Sequence, residues 1–122
     1  MEFANRFLTP SILFFLTLVF GFWLSHVGKP YNGLLFNVHK LIALACVVLL
    51  GIQFSKTLQS PDWLITALLV VSSLCVIALF ASGALMSAGQ LDYALMLTIH
   101  RIAPVVLVVG LGLVMFFIKN SP

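Results

Sequence analysis

Two stretches of the chain, VHKLIALACVVLLG at 38–51 and IHRIAPVVLVVGLG at 99–112, each set a histidine and a cation inside an apolar run. Offset by 61 residues, they pair His39 with His100, Lys40 with Arg101, Val47 with Val108, Val48 with Val109, Leu50 with Leu111 and Gly51 with Gly112. An imidazole can move a proton, bond between helices or offer a nitrogen lone pair to a metal. A cation beside it can pair with a carboxylate or phosphate. Ionisable groups are costly in an apolar segment, so two in matching contexts point to function.

The other reactive side chains are sparse. The third histidine, His26, falls at the end of an apolar run, where contact with lipid headgroups is the expected role. Cys46 and Cys75 stand alone in mid-run with no C-x-x-C, which argues against a disulfide-exchange site and for packing thiols. No Asp or Glu lies deep in an apolar run, which disfavours a small proton-coupled exporter. No serine nucleophile with a partner, no phosphate-binding loop and no basic stripe for nucleic acid is present.

These residues must be positioned by membrane spans. Of 122 residues, 62% are hydrophobic and 7% charged, against roughly 25% charged in a soluble domain. Four apolar runs are long enough to cross a hydrocarbon core of about 30 Å. They are expected at about 10–27, 34–54, 63–86 and 92–118, forming one transmembrane domain. The expected fold is an all-α, four-helix, up-down-up-down transmembrane bundle. Thr9-Pro10 reads as a cap and helix start, Asn32 and Asp92 as caps, and Ser60-Pro61-Asp62 as a further start. GKPYNG (28–33) and SAGQ (87–90) are turns, and Lys119 closes the last span. The first run lacks an A-x-A cleavage signal and reads as a retained span. Arg6, Lys56 and Lys119 lie on the face of the termini (side A) and only Lys29 lies in the opposite loops (side B). The positive-inside rule therefore predicts cytoplasmic termini in a plasma or inner membrane.

His39 falls seven residues after Asn32 and His100 eight after Asp92, so each is roughly 10–12 Å below the start of its span. Spans two and four run in the same direction and lie on a bundle diagonal, where the two imidazoles can face each other. Gly21 and Gly83 fall near the same layer on spans one and three, leaving a flat slot. A planar iron macrocycle with one imidazole on each axial position suits that slot. Lys40 and Arg101 lean toward side B, where they can pair with haem propionates or simply anchor at the headgroups. Pro104 cannot supply an amide to the carbonyl of His100, so a bend beside that ligand is expected. Spans one and three do not extend the 61-residue echo, so a duplicated hairpin is only weakly suggested.

Histidines on the second and fourth of four membrane helices, with Gly21 and Gly83 on the others, resemble the haem-b bundles of membrane cytochromes. The pattern is similar to the cytochrome b subunit of quinol-oxidising complexes. That resemblance implies a b-type electron carrier exchanging with a quinone or a redox protein. In that family each ligand helix carries a second histidine 13 or 14 residues on. Here Ile52 and Gln53 follow His39, and Leu113 and Val114 follow His100, so the resemblance implies one haem b per chain, near side B. Two other readings remain: a non-redox membrane subunit or assembly factor with structural histidines, and a divalent-metal site built from His26, His39 and His100.

Overall fold

In a bilayer every backbone amide must be paired within the protein, and a chain this apolar has the helix as its solution. The computed structural model describes residues 2–28, 30–89 and 91–120. It contains α1 (Glu2–Val27), α2 (Gly33–Thr57), α3 (Trp63–Ala88) and α4 (Tyr93–Lys119), with no strand among the described residues. The helices have 26, 25, 26 and 27 residues. At 1.5 Å per residue each is about 38–40 Å long, enough for the hydrocarbon core and part of the interface. All four are apolar enough to cross a membrane, so the chain is an all-α integral membrane protein.

α2 and α4 start at the caps read from sequence, and α3 starts where expected but on Asp62, with Ser60-Pro61 lying before the helix. Asn32 Oδ1 accepts from the amides of Leu34 and Leu35 at 2.9 and 3.3 Å. Asp62 Oδ1 accepts from Ile65 at 2.8 Å, and Asp92 Oδ1 from Ala94 at 3.0 Å. α3 ends at Gly89, whose left-handed φ of 69° closes the helix as only glycine does cheaply. Lys29 and Gln90, read as parts of the two side-B turns, lie outside the described residues.

The first helix corrects the sequence reading. Thr9-Pro10 does not begin it; α1 starts at Glu2, and Pro10 lies inside. Glu2 and Arg6 form an i,i+4 ion pair at 2.8 Å that supports the first turn. Phe7, buried to 2% exposure, packs against Phe54 of α2 with ring centroids 5.1 Å apart and the rings tilted by 51°, so this extra segment is anchored by packing. Proline removes one amide here, a loss that packing on both sides of it outweighs.

The contacts fall into two units, Met1–Gln59 with α1 and α2, and Ser60–Pro122 with α3 and α4. Each is a helical hairpin. In the first, Cys46 is buried and its thiol donates to the Pro10 carbonyl at 3.4 Å, which bears out its role in packing. In the second, Ser72 packs on Gly110, with Leu107 and fully buried Val114 on the same side of α4. Large apolar side chains such as Phe15, Phe22, Leu41 and Leu74 remain exposed, as a lipid-facing surface requires.

The Ser72–Gly110 contact is tight and testable. A Cβ on Gly110 would stand 2.8 Å from Ser72 Oγ, and that buried hydroxyl has no hydrogen-bond partner. Gly110→Ala is expected to destabilise the α3–α4 hairpin by about 1–3 kcal/mol through overpacking. Ser72→Ala alone is expected to be neutral or stabilising, because it removes an unpaired polar atom. The double variant should recover most of the loss in reversible unfolding from detergent micelles. Simple additivity of the two effects would show that the contact is not as close as described.

Candidate histidine site

Each histidine is seated on a glycine of the preceding helix in its own hairpin. A Cβ built on Gly21 would fall 2.8 Å from Cε1, 3.4 Å from Nδ1 and 3.6 Å from Nε2 of His39, so the ring lies over the bare backbone of α1. A Cβ on Gly83 would fall 3.2 Å from Cε1 and 3.7 Å from Nδ1 of His100. Gly21 precedes His39 by 18 residues, and Gly83 precedes His100 by 17. The room that each glycine opens is thus taken by the imidazole itself. Gly51 and Gly112, which also belong to the echo, meet nothing within 4 Å.

The ring nitrogens have defined roles. His39 Nδ1 lies 2.9 Å from the carbonyl oxygen of Thr17. A carbonyl can only accept, so Nδ1 carries the proton and the neutral ring holds its lone pair on Nε2. In an α-helix the Thr17 carbonyl also receives the amide of residue 21. Glycine at that position lets a neighbouring ring reach an oxygen that a side chain would shield.

The second hairpin reaches the same tautomer by another route. His100 Nδ1 lies 2.9 Å from Ser82 Oγ, and that hydroxyl donates to the Leu79 carbonyl at 3.2 Å. With its proton on that carbonyl the hydroxyl can accept from Nδ1, an arrangement in which the lone pair of the neutral ring again falls on Nε2. Histidines that bind metal characteristically donate their other ring N–H to a carbonyl or similar acceptor, which fixes orientation and raises basicity. Both imidazoles have that preparation.

The remaining candidate residues are placed more loosely. Lys40 is exposed and its Nζ stands 5.6 Å from the Phe36 ring centroid, one turn nearer the start of α2. It therefore leans as expected, toward side B. Arg101 is exposed at the matching place on α4. Pro104 lies inside α4. His26 is exposed at the end of α1. Among the described residues no group of three or more His, Cys, Asp or Glu side chains is gathered as a metal site, which removes the support for a site built on all three histidines.

Compared with known proteins, the chain matches no family model, no curated protein and no solved structure. The chemistry of the site rests on its own residues.

Sequence reasoning singled out both histidines and both glycines, the glycines as openings for a flat macrocycle and not as seats for the rings, and missed Thr17, Leu79 and Ser82. The Thr17 and Leu79 contributions are main-chain oxygens, to which the side chain gives no clue. Their signal was the glycine four residues later. Ser82 was legible only as the polar neighbour of Gly83.

Gly21→Ala is expected to push the His39 ring off α1 and break the bond to Thr17, because 2.8 Å leaves no room for a methyl and the ring can rotate away. Gly83→Ala, at 3.2 Å, should perturb His100 less. The exchange-protected Nδ1–H proton resonance of His39 should vanish in the first variant, while that of His100 should persist in the second. Gly51→Ala, which meets nothing, is the control; equal effects from all three would remove the case for glycine seats.

Proposed function

We propose that the protein is a membrane b-type cytochrome-like electron carrier that holds one haem between His39 and His100. One observation carries this reading: in each hairpin Nδ1 of the histidine meets a polar atom of the partner helix, the Thr17 carbonyl at His39 and the Ser82 hydroxyl at His100. Where Nδ1 is the donor, the lone pair of the neutral ring falls on Nε2. Two imidazoles that, when neutral, carry the lone pair on Nε2 would be able to hold a haem iron. His39 lies seven residues past the Asn32 cap and His100 eight past the Asp92 cap, so each is at a similar depth in its own hairpin.

A haem held by two imidazoles supplies one-electron exchange between ferrous and ferric iron. The chain's own residues do the rest. Thr17 and Ser82 hold the ring protons, and Gly21 and Gly83 fix how far each ring stands from its supporting helix. Lys40 and Arg101 supply positive charge toward side B, where propionates of the cofactor are to be paired. Exchange with a quinone or redox protein is assigned to side B, because Gln53 and Val114 cannot provide a second histidine pair near side A.

The same hydrogen bonds favour a second reading, in which the histidines only tie each hairpin together and the protein is a non-redox membrane subunit. Absorption spectroscopy separates the two. The purified protein, reduced with dithionite, is expected to show sharp α and β bands at one haem per chain. His39→Ala or His100→Ala should abolish or convert that spectrum, and His26→Ala should leave it intact. A colourless protein would favour the structural reading, and two haems per chain would refute the single site.

The orientation is a separate proposal, with termini in the cytoplasm. In a background lacking Cys46 and Cys75, Pro30→Cys should react with an impermeant thiol reagent added outside intact cells, and Gln59→Cys should not. The opposite labelling pattern would invert the topology.

A further inference from the structure

The two histidine seats differ in one atom group. In α1 the carbonyl four residues before the seat glycine, that of Thr17, receives the imidazole proton directly. In α3 the carbonyl four residues before Gly83 is that of Leu79, and the Ser82 hydroxyl stands between it and His100. The contacts run from His100 Nδ1 to Ser82 Oγ, and from Ser82 Oγ–H to the Leu79 carbonyl. The ring of His100 correspondingly stands farther from its glycine, with 3.2 Å to a Cβ against 2.8 Å for His39. Ser82 is 2% exposed, so water does not compete for its hydroxyl. The position before the seat glycine in α1 is Phe20, which has no hydroxyl to interpose.

We propose that Ser82 is a positioning residue: its hydroxyl holds the proton of His100 on Nδ1 and thereby selects Nε2 as that ring's donor atom. In the first hairpin the main chain alone does this. The two imidazoles are therefore inequivalent, one fixed by backbone and one by a side chain. A carbonyl has one role, whereas a hydroxyl both donates and accepts. Ser82 selects the Nδ1–H tautomer only because its own proton is directed to Leu79. Removing the hydroxyl takes this partner from His100 Nδ1 and leaves the bond of His39 to Thr17 in place. The consequence for a cofactor rests on the haem reading; the tautomer selection stands apart from it.

The experiment is nitrogen-15 NMR of histidine-labelled, haem-free full chain in lipid nanodiscs at about pH 9, where an ordinary imidazole is neutral. The wild type is expected to show a protonated Nδ1 and an unprotonated Nε2 at both His39 and His100. Ser82→Ala should turn the His100 signals into a mixture of tautomers with His39 unchanged, and Ser82→Thr should restore the wild-type pattern. A merely structural role would shift both histidines or neither. Retention of a single Nδ1–H form at His100 in Ser82→Ala would overturn the proposal, as would an Nε2–H form there in the wild type. Titration with haemin is the second arm: Ser82→Ala is expected to weaken binding by about 10–100-fold, the usual effect of losing such a partner. If the wild type binds no haemin while the tautomers behave as expected, the haem reading fails and the role of Ser82 stands.

Discussion

An N–H inside a hydrocarbon layer must find an acceptor, and nearly every acceptor there is a helix carbonyl already engaged by its own ladder. That scarcity governs how this protein places its two deep histidines. A ring can share a ladder carbonyl only where the neighbouring helix has no side chain in the way. Gly21 provides that opening for the Thr17 oxygen, while beside Gly83 the His100 ring meets the Ser82 hydroxyl, which itself bonds to the Leu79 carbonyl. The close approach of α1 to α2, and of α3 to α4, follows from the need to bring these rings onto bare backbone. Small residues let membrane helices approach closely in general; here the approach is used to seat a polar ring.

Most of the fold was legible because lipid leaves few choices. Apolar runs of about 20 residues admit helices only, and Asn32, Asp62 and Asp92 announce their starts through side chains that match orphan amides. The miss at α1 is instructive. Thr9-Pro10 has the local signature of a start, yet Glu2–Arg6 pairing and the burial of Phe7 on Phe54 carry the helix back to residue 2. Long-range packing decided a question that local chemistry posed wrongly.

The site was half legible. Histidines in apolar runs are visible as types, and glycines at 18 and 17 residues before them are visible as spacing. The acceptors were not, because a carbonyl belongs to every residue and only geometry shows which one is used. The echo was also uneven in meaning. Its histidines each bond to the partner helix of their own hairpin, while Gly51 and Gly112 meet nothing within 4 Å. Helices one and three lack sequence similarity because a seat needs only a glycine and an acceptor, which few residues specify.

A main-chain acceptor redistributes mutational tolerance. At position 17 any side chain leaves the oxygen where it is, so the group that bonds His39 places no demand on its own residue. The demand is displaced four positions, onto Gly21, where even one methyl intrudes. In the second hairpin the dependence is spread over Ser82 and Gly83 together. One half of the molecule therefore has a single point of failure and no means of gradual adjustment. The other can be tuned by exchanging one hydroxyl-bearing residue, which makes α3 the helix through which selection can adjust the pair.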